Sequence, residues 1–244
     1  LRFKIVVNFA PDPTILWWCG FVVPATLVLF LYLNFAGNLW KVMTVTSGCR
    51  RVASELVSAT NRHWKYCYSC ALQCPPRGSH CVTCDDCVLK RDHHCVFAGC
   101  CIGYRNHRYY IVAVFHGWLL SQLALCSIWS VVWKQLVAPQ LALIARLISC
   151  YQFLLATLLM SGLVACAFFG YLFCFQVYLV CTGQTYQEHL TGISCYNLGP
   201  LQNLRQIVGD RYVLVWLWPF VTSKLPGNGI DFPTRTIETR VKVM

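Results

Sequence analysis

Hydrophobic residues are concentrated in three long tracts of the chain. These tracts run from Thr14 to about Leu39, from about Tyr109 to Trp133, and from about Ser149 to Cys181. A helix needs about 20 mostly apolar residues to cross the hydrocarbon core of a bilayer. A buried core helix is the alternative for each tract, but segments of this length with almost no charge are seldom core. The pattern therefore predicts three membrane-spanning helices.

The composition agrees with a membrane location. Hydrophobic residues make up 57% of the 244 residues and charged residues only 12%, whereas about a quarter of the residues are charged in an ordinary soluble domain. The formal net charge of +11 indicates attraction to a lipid bilayer through its anionic headgroups. We expect no nucleic acid among the partners, because the sequence shows no pattern of a groove-reading helix or a stacking sheet.

A cysteine-rich block lies between the first two apolar tracts. Three of its cysteine pairs have the Cys-x2-Cys spacing that places two thiolates on one tetrahedral zinc ion. Two closed four-ligand sites would use eight residues, so four of the twelve cysteines and histidines would be left over. The twelve are Cys67, Cys70, Cys74, His80, Cys81, Cys84, Cys87, His93, His94, Cys95, Cys100 and Cys101.

The segment Asp92-His93-His94-Cys95 interrupts these pairs. A surplus cysteine near a surplus histidine, with an aspartate before it, suits a nucleophilic thiolate, its base and a carboxylate that orients the base. Two alternatives stay open from the residues alone. One is a purely structural zinc module in which Cys95 and His93 are ligands or bystanders. The other is a set of disulfides, which the tight spacing and the neighbouring membrane segments disfavour.

The order of residues in this block resembles that of a known family. It reads Cys67-x2-Cys70-x9-His80-Cys81-x2-Cys84-x2-Cys87-x4-Asp92-His93-His94-Cys95-x5-Cys101-x4-Asn106. It is similar to the cysteine-rich domain of the DHHC-type protein S-acyltransferases, also called palmitoyltransferases. Together with the apolar tracts, the resemblance implies an α-helical polytopic membrane protein with a small, loop-rich, zinc-bound cytosolic domain.

The resemblance also implies roles for single residues. Cys95 would be the nucleophile, His93 its base and Asp92 the acid that orients the base. Two structural zinc ions would be held, one by Cys67, Cys70, His80 and Cys87, and the other by Cys81, Cys84, His94 and Cys101. The donor would be a long-chain acyl-CoA, and the partners would be substrate proteins with membrane-proximal cysteines.

Several positions depart from the family pattern. Cys74 stands where Lys or Arg is usual before Pro-Pro-x-Arg, and Val-Phe-Ala-Gly-Cys-Cys follows Cys95 in place of Pro-Trp-Val-x-Asn-Cys. Phe97 keeps an aromatic ring where Trp is usual, so we expect it to pack beside the acyl chain. Cys100 is interpreted as an inert buried thiol, with a spare ligand or an acyl acceptor left open. The candidate contacts for the CoA phosphates are Arg77, Lys90 and Arg91, with a solvated or lipid-facing charge as the alternative for each.

Basic residues predict the orientation and the regions of the chain. Residues 47–110 carry nine Lys or Arg against four acids, and six basic residues follow Cys181. The positive-inside rule therefore places the zinc block and the tail in the cytosol, and the family default is the endoplasmic reticulum or Golgi. The expected regions are a membrane region with one span (1–46), a zinc domain (47–108), two transmembrane helices (109–181), and a tail (182–244). The odd number of spans predicts a further helix before Leu1.

Weaker patterns follow the last tract. Thr185-x-x-Glu188 resembles a family motif with Tyr186 in place of its second Thr, and it fits a helix capping box equally well. Asn203 is expected to cap exposed helix groups, and the apolar run Val213–Phe220 is expected to lie in the membrane interface. The main alternative function is a membrane adaptor or scaffold that uses the zinc block only for protein contacts. The departures after Cys95 keep this alternative open.

Overall fold

The computed structural model describes residues 18–52, 64–132 and 150–235. Three helices within these ranges are long and apolar enough to cross a membrane, at Gly20–Thr44, His107–Trp129 and Phe153–Thr182. They confirm the three predicted membrane segments. The beginning of the first tract and the expected turn near Pro139 lie outside the described residues.

The membrane helices pack around the second of them. Helix α1 spans Val23–Thr44 after a π-helical turn at Trp18–Val22, helix α2 spans His107–Val132, and helix α3 spans Cys150–Thr182. Helix α2 packs against both α1 and α3. Gly117 permits this close approach, since a Cβ there would lie 3.0 Å from the ring of Phe169 and 3.1 Å from that of Phe35.

Three short antiparallel hairpins form the cysteine-rich region between α1 and α2. Their strands are β1 (Lys65–Cys67) with β2 (Leu72–Cys74), β3 (Ser79–Cys81) with β4 (Asp86–Val88), and β5 (His93–Cys95) with β6 (Cys100–Ile102). Two-stranded hairpins are marginally stable alone in water. Bound metal and packing against the helices would supply the stability that these three-residue strands lack.

Two short helices follow α3. Helix α4 spans Tyr186–Thr191 and helix α5 spans Pro200–Val208, and α5 packs against α3 and α2. Asn203 in α5 donates to the carbonyl of Cys181 at the end of α3 and accepts from the N–H of Leu198. The predicted capping role of Asn203 is thus confirmed. The run Val213–Phe220 contains a short 3-10 turn, Leu214–Trp216.

The main buried cluster lies where the helices meet the third hairpin. It joins Val42 of α1, Cys95 and Ile102 of the hairpin, Val114 of α2 and Val180 of α3. Buried Asn106 links α1 to the third hairpin through hydrogen bonds, because its amide donates to the carbonyls of Val42 and Cys101. The third hairpin is therefore fixed against the ends of the membrane helices.

Candidate active site and metal centres

Two groups of four side chains in the cysteine-rich region have the arrangement of metal sites. Within each group the possible ligand atoms lie within 4.8 Å of one another. The groups are Cys67, Cys70, His80 and Cys87, and Cys81, Cys84, His94 and Cys101. The structure thus brings together the two interleaved sets that the resemblance implied, whereas spacing alone left the pairing open.

The distances inside these groups fit zinc. Nδ1 of His80 lies 3.3 Å from Sγ of Cys70, and Nδ1 of His94 lies 3.3–3.8 Å from the Sγ atoms of Cys81, Cys84 and Cys101. Tetrahedral zinc with its usual bond lengths separates neighbouring S and N ligands by roughly 3.5–3.8 Å. A complete Cys3His set is typical of a structural zinc site, because it leaves no open position for substrate.

The hairpins explain how the ligands meet. His80 pairs with Cys87 across β3–β4, and His94 pairs with Cys101 across β5–β6. Side chains directly opposite each other in an antiparallel pair project to the same face. The second and third hairpins therefore each contribute a histidine and a cysteine to one metal group, and a Cys-x2-Cys turn of the preceding hairpin supplies the other two ligands.

Asp92, His93 and Cys95 form a connected acid, base and thiol at the buried junction of the hairpin and the helices. Nδ1 of His93 lies 2.7 Å from Oδ2 of Asp92, which is fully buried. Cys95 is also buried and belongs to neither metal group. The ring of His93 is held from the side by an edge contact with Tyr110, with 5.0 Å between the ring centres.

The electrostatics of this site favour an imidazolium and thiolate pair. Burial lowers the pKa of His93, but hydrogen bonds with Asp92 and Cys95 outweigh burial and raise the pKa to about 9. Burial raises the pKa of the Cys95 thiol, but the hydrogen bonds from His93 and from the backbone amides of Ala98 and Phe97 bring it below its usual value. Thiolates are the nucleophilic form of cysteine. The arrangement can therefore activate Cys95 for attack on a carbonyl carbon.

A sequence profile described as DHHC palmitoyltransferase matches residues 60–193, more than half of the chain and all of the residues in this site. The chain belongs to the DHHC palmitoyltransferase family. Among the relatives, the probable palmitoyltransferase ZDHHC24 of Homo sapiens is 33% identical over 96% of this chain and 86% of its own length. The protein of that name in Mus musculus is 34% identical over the same shares. The probable protein S-acyltransferase 6 of Arabidopsis thaliana is 31% identical over 70% of this chain and 42% of its own length.

The aspartate of the DHHC segment has partners that sequence reasoning missed. The amide of Gln176 donates to Oδ2 of Asp92 at 3.1 Å, and Oε1 of Gln176 lies 2.9 Å from Nε2 of His107. The backbone N–H of Tyr186 donates to Oδ1 of Asp92 at 2.8 Å. Gln176 is a buried polar residue inside an apolar helix, and His107 is one at the start of another. This is the signal that could have identified them, since such residues are rare and often functional.

The Thr185-x-x-Glu188 motif is both a capping box and a contact with the zinc domain. Oγ1 of Thr185 accepts from the N–H of Glu188, and the Glu188 carboxylate accepts from the N–H of Thr185. The same carboxylate binds Arg77 through two hydrogen bonds of 2.6 and 2.7 Å. Tyr186, which stands in place of the second Thr, reaches Asp92 through its backbone N–H, a contact that does not depend on its side chain.

The DHHC-domain cations expected at CoA phosphates lie mainly in the interior. The side chain of Arg77 is paired with Glu188 and stacked over the ring of Tyr196, and Lys90 is buried. Arg91 is half-buried and donates to the carbonyl of His80. Burial and pairing give Arg77 and Lys90 structural surroundings rather than access to a phosphate in solution.

Phe97 is exposed, in contrast to Arg77 and Lys90. Its side chain is 79% exposed, although it lies only two residues beyond Cys95, and its ring meets Phe168 of α3 with 5.4 Å between the ring centres. An exposed aromatic residue beside a membrane helix can contact the chain of a lipid-like substrate. This position fits the expectation that Phe97 packs beside an acyl chain.

Proposed function

We propose that this protein is an S-acyltransferase that moves palmitate, or a similar long acyl chain, from acyl-CoA to cysteine thiols of cytosolic or membrane proteins. The observation that carries the proposal is the Asp92–His93–Cys95 arrangement at the junction with the membrane helices. Its geometry supplies a buried carboxylate 2.7 Å from the imidazole and a buried thiol two residues further along the same strand. Family membership supports the same chemistry.

The reaction then has two steps. The Asp92 carboxylate accepts a hydrogen bond from Nδ1–H of His93 and so presents the Nε2 atom as the base for Cys95. The Cys95 thiolate attacks the thioester carbonyl, a C–S bond forms, and CoA leaves with the proton held by His93. In the second step His93 takes the proton of an acceptor cysteine, which attacks the acyl-Cys95 carbonyl and releases the Cys95 thiolate. One thioester replaces another, so no further energy source is needed.

The position of Cys95 suits a donor with a charged head and an apolar tail. The buried cluster around Cys95 includes side chains of all three membrane helices, and exposed Phe97 leans against α3. Each CH2 group that leaves water contributes about 0.8 kcal/mol, so a chain of palmitate length would bind strongly between helices and lipid. We propose Phe97 as a contact of this chain and Arg91 as the remaining candidate contact of the CoA phosphates.

The two Cys3His groups would each hold a structural zinc ion. When bound, zinc supplies cross-links that hold the three hairpins and so hold the loop that carries Cys95. Both ligand sets are complete, and they share no residue with the Asp92–His93–Cys95 site. The chain's own side chains therefore carry the chemistry of acyl transfer.

We further propose the cellular arrangement and the division of the chain that the sequence indicates. The zinc domain (47–108) and the tail (182–244) would lie in the cytosol, and the protein would be a multi-pass protein of the endoplasmic reticulum or Golgi. Its partners would be acyl-CoA, the lipid bilayer and proteins with membrane-proximal cysteines. The support is the excess of basic residues in these two regions.

The deciding experiment is labelling of the full-length, detergent-purified protein with an alkyne-bearing palmitoyl-CoA. Wild type is compared with Cys95→Ser and with Cys195→Ser, which replaces an exposed cysteine far along the tail. We expect hydroxylamine-sensitive label on wild type and on Cys195→Ser, and its loss in Cys95→Ser. Folded, zinc-loaded wild type that takes up no label would contradict the proposal and favour the adaptor alternative.

A further inference from the structure

A second thiol faces Cys95 across the third hairpin. The register pairs Cys95 directly with Cys100, one step beyond the pair formed by His94 and Cys101. In that neighbouring pair, the two side chains meet at one metal group, with 3.8 Å between Nδ1 and Sγ. The same register places Cys95 and Cys100 directly opposite each other as the next pair of the hairpin.

The thiols of Cys95 and Cys100 belong to the face of the hairpin away from the metal. Successive residues of a strand project to opposite faces, so the pair after His94 and Cys101 turns towards the helices. Cys100 donates from Sγ to the carbonyl of Val42 in α1, and Val42 shares a buried cluster with Cys95. Neither thiol belongs to a metal group, so both are free for other chemistry.

We infer that Cys100 is a resolving thiol for Cys95 and that the two form a reversible disulfide when a hydroperoxide oxidises the site. Directly opposed residues in an antiparallel pair have Cα atoms about 4.5–5.5 Å apart, and disulfides span about 4.4–6.8 Å between Cα atoms. The four residues between the strands close a turn, with Gly99 in the left-handed region. The inference rests on the proposed role of Cys95 as the reactive thiolate.

Formation of one disulfide consumes one molecule of hydroperoxide. The Cys95 thiolate attacks the O–O bond of the hydroperoxide and becomes a sulfenic acid, while the other oxygen leaves as water or an alcohol with a proton from the His93 imidazolium. Cys100 then attacks the Cys95 sulfur, the S–O bond breaks, and a second oxygen leaves as water with the thiol proton. Two thiols are oxidised to one disulfide, and a dithiol reductant reverses the step by thiol exchange.

Such a pair would protect the nucleophile and switch the enzyme off. A sulfenic acid that is not captured proceeds to the sulfinic and sulfonic acids, which are generally irreversible. The Cys100 thiol lies directly opposite Cys95 on the neighbouring strand. It would react with the Cys95 sulfenic acid before a second peroxide does. While the disulfide lasts, Cys95 has no free sulfur for the acyl group, so transfer stops until a reductant restores the thiols.

The test compares wild type, Cys100→Ser and the matched control Cys195→Ser after brief exposure to hydrogen peroxide. Free thiols are alkylated, and mass spectrometry follows the segment between Arg91 and Arg105, with cleavage after Phe97 to separate Cys95 from Cys100. We expect a Cys95–Cys100 link and full recovery of labelling by dithiothreitol in wild type and in Cys195→Ser. In Cys100→Ser we expect sulfinic or sulfonic Cys95 and at least a tenfold loss of labelling that dithiothreitol does not restore.

Metal content is measured in the same samples, because loss of zinc would free Cys101 to react. An unlinked Cys95 in oxidised wild type with its metal retained would overturn the inference, and this result needs no variant to fold. Equal recovery in wild type and Cys100→Ser would overturn it as well. A mapped disulfide without any acyl label would instead contradict the proposed function and leave the redox pair standing.

Discussion

Glu188 and Arg77 form a buried, bidentate ion pair. The contacts are 2.6 Å from Nε to Oε1 and 2.7 Å from Nη2 to Oε2, and the two side chains are only 5% and 6% exposed. Arg77 belongs to the zinc domain, whereas Glu188 lies in helix α4, whose first residue donates its N–H to Asp92. The pair therefore fixes the cysteine-rich region against the helix that donates a hydrogen bond to the Asp92 carboxylate.

Breaking this pair should destabilise the protein strongly. Arg77→Met leaves the Glu188 carboxylate buried without its partner, which typically costs about 3–5 kcal/mol. Arg77 has a left-handed backbone, but Met also has a Cβ and adds no strain of its own. We expect a lower midpoint in thermal unfolding of the purified protein.

The matched control for this change is Arg50→Met. Arg50 pairs with Asp85 at the surface, where both side chains are more than half exposed. Exposed pairs contribute little, so the midpoint should stay at the wild-type value. Equal shifts of the unfolding midpoint in the two variants would mean that the buried Arg77–Glu188 pair stabilises the protein no more than an exposed pair does.

Gln176 should matter for catalysis although it lies in a membrane helix. Gln176→Leu removes a hydrogen bond to the Asp92 carboxylate, and a hydrogen bond to a charged group contributes about 1.5–3 kcal/mol. Because this hydrogen bond orients Asp92 and so stabilises the transition state, Cys95 in the variant should be labelled roughly 10- to 100-fold more slowly than in wild type. Single-turnover labelling with palmitoyl-CoA measures the rate.

Gln202→Leu serves as the control for Gln176→Leu because Gln202 is exposed on helix α5. It should label at the wild-type rate. A wild-type rate for folded Gln176→Leu would show that Asp92 is held well enough by Tyr186 and His93. A rise in the KM for acyl-CoA with unchanged kcat would assign Gln176 to donor binding instead.

Each Cys3His group should bind one zinc ion independently. We expect wild type to carry two zinc ions per chain, and Cys70→Ala and Cys84→Ala to carry one each, because each replaces a ligand of a different group. Cys174→Ala, which changes an exposed cysteine of α3, should retain two. Elemental analysis of the purified proteins measures this, and loss of both ions from either ligand variant would show that the groups fold as one unit.

Lys90 should make stability depend on pH. Burial, and then repulsion from Arg77, lower its pKa to about 7. The unfolded state keeps the Lys90 proton up to roughly pH 10, so between these values it binds more protons than the folded state. The contribution of Lys90 to the free energy of unfolding therefore rises with pH across this window, and the cost of burying its charge is greatest below pH 7.

Lys90→Met should remove that cost. The variant should be more stable than wild type at pH 6.5, and the difference should shrink by pH 9.5. Lys224→Met, which changes an exposed lysine, should show no such change. Denaturant unfolding at the two pH values measures the difference, and comparison between variants cancels the titration of the thiols. A constant difference across the window would contradict a neutral buried Lys90.

The sequence by itself determined the features that depend on composition or on close spacing. Long uncharged tracts identify α1, α2 and α3, because a bilayer demands apolar length. The Cys-x2-Cys turns identify metal ligands, because three residues suffice to close a chelate. Asp92, His93 and Cys95 are nearly consecutive, so their association needs only a short strand and a turn.

Tertiary structure decided the contacts between distant parts of the chain. Gln176 lies 84 positions from Asp92, and Glu188 lies 111 positions from Arg77. No local pattern fixes such a distance, since it depends on how α3 and α4 return to the zinc domain. The same packing buried Arg77 and Lys90, which charge alone suggested as phosphate contacts. The sequence shows only that a residue is charged. Whether its side chain is exposed to water or buried beside a partner depends on the fold.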